Sequence, residues 1–211
     1  MKGVSVISHP LVQHHLTQLR DRSTRPDAFR RLLQEVATLM AYEATRDLAV
    51  RRLRVRTPLE STQGFRLKQS VLLVPVLRAG LGMLEPMLRR IPGASVGFIG
   101  LQRNERTLSA ERYHASLPRT LRRRVVLLID PMLATGGSAV AALEQLEARG
   151  AADIRLVNLV AAPEGIRRVR RHSPATRIFT ASIDRALNER GFILPGLGEA
   201  GDRLFGEHPR G

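Results

Sequence analysis

The chain has 211 residues, 43% of them apolar, and a formal net charge of +15 at pH 7. This length suits one hydrophobic core, no apolar run approaches the roughly 20 residues that cross a bilayer, and the N-terminus lacks a signal-peptide core, so we expect a cytoplasmic protein. Because cysteine is absent, disulfides, a thiol nucleophile and thiolate zinc sites are excluded. All but two of the 34 basic residues are arginine, which calls for an anionic partner such as a phosphorylated substrate or nucleic acid.

The first strong periodic signal is helical. Apolar residues recur at helical spacing from Pro26 to about Leu53, with Ser23 or Thr24 placed to cap the start. We therefore predict one long amphipathic helix over this segment.

Apolar runs of strand length follow, separated by helical or polar stretches, at residues 71–77, 96–101, 125–129 and 154–162. A helix at about 138–149 joins the third and fourth runs, a second short helix begins at Pro163, and a fifth strand is expected at 177–183. This alternation predicts an α/β fold with a mainly parallel sheet.

The C-terminal tail is rich in glycine, with Gly191, Gly196, Gly198, Gly201 and Gly206 within sixteen positions. Such a density excludes a helix over the whole tail. Because large apolar residues lie among the glycines, we interpret the tail as an ordered cap on the same domain.

The sharpest local signal is a buried strand, an acid, a turn and a helix start within residues 125–138, ending in the sequence DPMLATGGS. Ligands of parallel α/β sheets gather at the carboxyl ends of strands, where the N–H groups of a helix N-terminus attract phosphate. An acid ahead of this cradle suits the hydroxyls of a sugar, although the same residues would also form an ordinary capped turn. The chain has no GK[ST] loop, and its GxGxxG at residues 196–201 lies in the glycine-rich tail and follows none of the predicted strands, so neither ATP hydrolysis nor dinucleotide binding is predicted.

The DPMLATGGS segment resembles the phosphoribosyl pyrophosphate (PRPP) loop of the uracil phosphoribosyltransferases. Residues 75–83 resemble the pyrophosphate-side loop of that family, Arg103-Asn104-Glu105 its basic loop, and residues 161–165 and 191–203 two further motifs, all in the family's order. The resemblance implies a type I phosphoribosyltransferase-like fold, α/β with a mainly parallel sheet and helices on both faces. It also implies a single domain over residues 1–211, with residues 184–211 as a uracil-binding cap.

The resemblance implies a role for each matched residue. Asp130 and Arg78 would be catalytic, with Asp130 on the ribose hydroxyls and Arg78 and Arg103 on the pyrophosphate, whose oxygens pair with guanidinium forks. The remaining PRPP contacts would come from Pro131, Met132, Leu133, Ala134, Thr135, Gly136, Gly137, Ser138 and Glu199. The residues implied to bind uracil are Ile193, Gly198, Glu199 and Ala200.

By the same resemblance, the reaction is a pentosyl transfer of pyrimidine salvage that converts uracil and PRPP to UMP and pyrophosphate. Its transition state would have oxocarbenium character at the anomeric carbon. Magnesium would be held mainly by PRPP and water, with Glu199 as the one candidate protein ligand. Two positions depart from the family: Glu199 stands where aspartate is usual, and Phe192 where tyrosine is usual. These departures affect the metal environment and the contact with the base.

Two other functions fit the same sequence. A phosphoribosyltransferase for another base would share the phosphate loop, although the tail favours uracil. An RNA-binding pyrimidine regulator on the same fold would use clustered arginines, as in Arg122-Arg123-Arg124 and at positions 167, 168, 170 and 171. The resemblance also implies a homo-oligomer, at least a dimer, and admits GTP as an allosteric effector.

Overall fold

The computed structural model describes the backbone of residues 3–103 and 110–206, and the side chains of residues 3–101 and 113–206. The described helices are α1 (Pro10–Arg20), α2 (Pro26–Ala44), α3 (Leu81–Arg90), α4 (Gly137–Glu147), α5 (Pro163–His172) and α6 (Ala200–Phe205). The described strands are β1 (Val4–Val6), β2 (Val50–Arg56), β3 (Ser61–Leu67), β4 (Ser70–Leu77), β5 (Ser95–Val96), β6 (Phe98–Arg103), β7 (Ala110–Ser116), β8 (Arg124–Ile129), β9 (Met132–Leu133), β10 (Asp153–Ala161), β11 (Arg177–Ile183), β12 (Ala186–Leu187) and β13 (Ile193–Leu194).

A mainly parallel sheet organises the chain. Its strands follow the order β1-β11-β10-β8-β4-β6-β7, with β5 beside β4 and β9 beside β10. The pairs are parallel except at the edge, where β6 and β7 run antiparallel. The central strands β4, β8 and β10 are buried almost throughout, as expected of parallel strands covered on both faces. The predicted sheet is thus confirmed.

Helices cover both faces of this sheet. Alternate residues of one strand enter different cores, so Leu73 packs with Phe29 on the face of α1, α2, α3 and α6. Its neighbour Leu72 packs with Leu143 and Ile166 on the face of α4 and α5. No helix of the described residues is long and apolar enough to span a membrane.

The predicted start of the long helix at Pro26 is confirmed, whereas its predicted cap and its predicted end are wrong. Arg25, not Ser23 or Thr24, is the N-cap of α2, because it precedes Pro26 and proline holds its neighbour extended. The helix ends at Ala44, well before Leu53, where the chain passes into the antiparallel hairpin of β2 and β3.

A tertiary contact holds the end of α2. Arg155, a buried residue of β10, donates from Nη1 to the carbonyl oxygen of Ala44 at 2.6 Å and to Oδ1 of Asp47 at 2.8 Å. The terminal carbonyl of the helix is thereby satisfied by a distant strand, and Asp47 is drawn towards the sheet. This contact joins residues 111 positions apart, so no local pattern reveals it.

Candidate functional site

The acid of the DPMLATGGS loop lies at the carboxyl end of β8, next to the end of β4. Because Pro75 of β4 is in register with Ile129 of β8, Arg78 and Asp130 leave the sheet at the same edge. The backbone of Asp130 is held on both sides: its N–H donates to Val157 O at 3.1 Å, and its carbonyl accepts from Nδ2 of Asn158 at 2.5 Å. The position of the acid is therefore fixed by the sheet.

The rest of the loop leads directly into the N-terminus of α4. Residues 132–133 pair with β10 as β9, and Gly136 then takes a left-handed conformation, φ 77°, as the N-cap of α4. The N–H groups of the first helical turn have no acceptor within the helix, so this turn presents donors such as the N–H of Ser138, and the positive end of the dipole, to the space beside the loop. Thr135 orients this turn, since its Oγ1 accepts from the N–H of Gly137 at 3.4 Å. This arrangement suits a phosphate group.

Asp130 has an unusual proton affinity. Although part of the residue stays accessible to solvent, protein atoms surround its carboxyl group, and this desolvation raises the pKa of Asp130 to about 7. The N–H of Met132 donates to Oδ1 and opposes the shift, whereas the negative charge of Glu199 adds to it. A cationic ligand or metal ion would favour the ionised carboxylate.

Arg78 lies on the solvent side of the same edge. Its residue is exposed, and its guanidinium carbon lies 5.7 Å from the ring centroid of Phe205 in α6. The peptide bond between Leu77 and Arg78 is cis. The charge of Arg78 also acts on Glu199, whose pKa it lowers. Glu199 thus lies within electrostatic reach of both Arg78 and Asp130.

Glu199 is the N-cap residue of α6, at the tip of the C-terminal segment. Desolvation of its carboxyl group raises the pKa of Glu199, and the hydrogen bond from the N–H of Gly201 and the charge of Arg78 oppose this shift. Of the other residues predicted to bind uracil, Ile193 is buried in β13, Gly198 is exposed with φ 79°, and Ala200 is buried at the start of α6. All four lie on one continuous segment above the edge where β11 ends.

A buried ion pair holds this segment in place. Asp184, directly after β11, accepts two bonds from Arg20 of α1, at 2.8 Å and 2.6 Å, and a third from the N–H of Gly196 at 2.9 Å. Burial opposes ionisation of Asp184, but the bonds from Arg20 and Ser182 outweigh it and lower the pKa of Asp184. Arg20 also donates to Gly196 O at 2.6 Å. The turn at residues 195–198 is therefore tied to α1.

The basic loop predicted at Arg103-Asn104-Glu105 falls largely outside the described residues. The backbone of Arg103 ends β6, and its side chain, like Asn104 and Glu105, is not among those described. Within the described residues, no group of three or more His, Cys, Asp or Glu side chains could hold a metal ion by itself.

Sequence reasoning missed residues that act through the tertiary structure. Asp184 and Arg20 are 164 positions apart, and Asn158 lies 28 positions after Asp130. A buried asparagine within an apolar strand was the one available signal, since a polar side chain there needs a partner.

Comparison with known proteins agrees with this geometry. Residues 6–207 match the protein-family model described as uracil phosphoribosyltransferase. A uracil phosphoribosyltransferase of Thermoanaerobacter sp. (strain X514) is 51% identical over 206 residues, which cover 97% of this chain and 98% of that protein. The solved structure of the AQ2163 protein from Aquifex aeolicus superposes with a TM-score of 0.93 at 36% identity, covering 98% of this chain and 99% of that one.

A more distant structure extends the comparison at the level of the fold alone. A hypoxanthine phosphoribosyltransferase from Staphylococcus aureus has a TM-score of 0.51 at 13% identity, covering 88% of this chain and 91% of that chain. The α/β architecture is therefore the one shared with type I phosphoribosyltransferases, as the sequence predicted.

Proposed function

Because the chain belongs to the uracil phosphoribosyltransferase family, we propose that it transfers the ribose 5-phosphate of PRPP to uracil, giving UMP and pyrophosphate. The observation that carries this proposal is the placement of Asp130 immediately before the phosphate-binding N-terminus of α4, with Arg78 and Glu199 at the same sheet edge. A sugar phosphate can span these groups with its phosphate on the helix and its ring on the acid. The proposal treats residues 1–211 as one domain.

PRPP is assigned to the loop as follows. Backbone groups of residues 134–138 hold the 5-phosphate, and residues 131–133 hold the loop against β10. Asp130 accepts hydrogen bonds from the ribose hydroxyls, and Arg78 and Arg103 bind the pyrophosphate. Arginine suits this last role because its charge is permanent and its fork matches two phosphate oxygens.

Uracil is assigned to the segment above the sheet edge, within a cap formed by residues 184–211. Main-chain groups of Ile193, Gly198 and Ala200 can read the amide-like edge of the base, and the tie between Asp184 and Gly196 holds them in place. Phe192 is 45% exposed and offers a ring without a hydroxyl near this segment. Glu199 reaches from the cap towards PRPP.

Magnesium fits the donor set of this edge. Asp130 and Glu199 both have raised pKa values, and the charge of Glu199 contributes to that of Asp130, a repulsion that a bound cation would relieve. Glu199 would hold the ion together with oxygens of PRPP and water, since magnesium keeps much of its hydration shell. When bound, it would neutralise charge on the pyrophosphate.

The residues of the chain then act by position and charge. The ionised carboxylate of Asp130 orients the ribose and stabilises the positive charge that grows at the anomeric carbon. Arg78 stabilises the negative charge on the departing pyrophosphate, and the cap holds the uracil nitrogen in line with the anomeric carbon. The reaction needs no side chain as a nucleophile.

The test is an assay of pyrophosphate release from PRPP with uracil, cytosine, adenine, hypoxanthine and orotate in parallel. Uracil should be the preferred acceptor, and the Asp130→Asn variant should be strongly impaired with it. Preference for another base would favour the alternative of a different phosphoribosyltransferase. Absence of release with every base would reject the enzyme proposal altogether.

A homo-oligomer, GTP as an effector and a cytoplasmic location stay predictions, and RNA binding through the arginine clusters stays an alternative. The oligomeric state, the effector and RNA binding each have a direct measurement. Sedimentation gives the oligomeric state, activity with and without GTP tests the effector, and filter binding at two salt concentrations tests RNA, whose phosphate contacts weaken steeply with salt.

A further inference from the structure

We propose that Arg168 of α5 binds the 5-phosphate together with the N-terminus of α4, and so acts as an additional positioning residue for the phosphate. The inference rests on the proposed function for the identity of the ligand. Its chemical basis is the placement of a guanidinium beside a loop built for a phosphomonoester dianion.

The first turn of α5 packs directly on the phosphate loop. A Cβ built on Gly165 would lie 2.4 Å from the carbonyl oxygen of Ala134 and 2.9 Å from that of Leu133, so only glycine allows this approach. Gly136 meets the same turn, since a Cβ there would lie 3.0 Å from Gly165 O. The loop and α5 therefore keep a fixed relative position.

Arg168 follows Gly165 by three positions and so lies above it on the same side of α5. Its Cβ is 3.2 Å from a Cβ built on Gly136. A Cβ built on Gly137 would lie 3.6 Å from Nη1 of Arg168 and 3.6 Å from Oγ1 of Thr135. The guanidinium and the threonine hydroxyl thus flank the point where α4 begins.

Arg168 is exposed, and a phosphate bound at the loop would lie between its guanidinium and the start of α4. The N-terminus of α4 carries the positive end of the helix dipole, which repels the guanidinium and attracts a phosphate. A phosphate at the loop would accept from the backbone N–H groups and from the arginine fork together.

Arg168 is not held there by an acid of the described part of the chain. Glu164 is spaced four residues before it, which would allow a pair on the helix surface, yet no ion pair joins the two. Instead Oε2 of Glu164 is buried without a hydrogen-bond partner among the described atoms. The guanidinium therefore stays available to a ligand at the loop.

The experiment measures binding of ribose 5-phosphate and of pyrophosphate by calorimetry to the full chain and to three variants. In Arg168→Ala, we expect affinity for ribose 5-phosphate to fall about tenfold or more, the loss of one charged hydrogen-bonded contact, with pyrophosphate affinity within about twofold of the parent. Arg168→Lys keeps the charge without the two-pronged guanidinium, so its affinity for ribose 5-phosphate should lie between those of the parent and Arg168→Ala. Arg171→Ala removes an equal charge about one turn farther along α5 and should change neither affinity by more than about twofold.

Kinetics provide a second readout. In Arg168→Ala, the KM for PRPP should rise by about the factor lost in ribose 5-phosphate binding, with kcat within about threefold of the parent and the KM for uracil unchanged. Thermal melting of each variant separates a lost contact from a lost fold.

Two results would overturn the inference. One is a ribose 5-phosphate affinity in Arg168→Ala equal to that of Arg171→Ala, which would make Arg168 a solvated surface residue. The other is an equal fall in pyrophosphate affinity, which would indicate a general charge effect. If the parent transferred nothing to uracil while Arg168→Ala still lost ribose 5-phosphate affinity, the proposed function would fail and the phosphate contact would stand.

Discussion

Replacing Asp130 by asparagine should stabilise the folded chain, most strongly above neutral pH, while it impairs the transfer reaction. Desolvation raises the pKa of this carboxyl from 3.8 to about 7, so the folded chain holds a proton that the unfolded chain has already lost. The stability contributed by the protonated form is complete below pH 3.8 and is lost as the pH rises through about 7. Asparagine resembles the protonated acid and has no such cost.

The magnitude follows from the shift in pKa. At about 1.4 kcal/mol per pKa unit, the raised pKa of Asp130 lowers the unfolding free energy by about 4 kcal/mol at pH 8, where both states are ionised, and by about 1.5 kcal/mol at pH 5, where only the unfolded chain is ionised. The difference in unfolding free energy between Asp130→Asn and the parent should therefore grow by about 2.5 kcal/mol from pH 5 to pH 8.

Urea unfolding of both proteins at pH 5, 6, 7 and 8 measures this growth, because the difference between the two cancels the titration of every other group. Activity should move the other way: turnover of Asp130→Asn should fall far more than its affinity for ribose 5-phosphate. A stability difference that stays constant with pH would show that Asp130 is not desolvated. Near-normal turnover would remove it from the site.

Three further variants probe neighbouring contacts. Arg78→Lys should lower kcat/KM at least about tenfold, because one ammonium cannot replace a two-pronged contact with pyrophosphate; parent-like kinetics would make Arg78 a surface residue. In a magnesium titration of activity, Glu199→Ala should need much more magnesium and PRPP than the parent, whereas the activity of Glu199→Asp should stay within about tenfold of the parent. An alanine variant that behaves like the parent would exclude the carboxylate from the site. Asp184→Asn should lose about 3 kcal/mol of unfolding free energy, because Arg20 is left with an uncompensated charge beneath the cap. It should also raise the KM for uracil, and an unchanged urea unfolding curve would contradict this prediction.

The sequence by itself determined the central sheet and the phosphate loop. Buried strands that are apolar on both faces appear in the sequence as continuous apolar runs. The bounds of β4, β8, β10 and β11 could therefore be predicted to within a few residues. The order of strand, acid, turn and helix at residues 125–138 is a local property, and it indicated the loop before any tertiary contact was known. The family resemblance supplied the roles assigned to Arg78, Asp130 and Glu199.

Tertiary structure alone decided which distant residue holds the end of α2, how the cap is held and what surrounds the loop. Arg155 binds the last carbonyl of α2 from a strand 111 residues away, and Asp184 fixes Gly196 through Arg20 at the other end of the chain. These contacts form because a buried charge without a partner is energetically costly. The partner is the residue that the fold brings close to the charge. Arg168 could not be singled out from the sequence either, because it is one of many arginines. Only the packing of α5 on the loop places it beside Gly136 and Gly137.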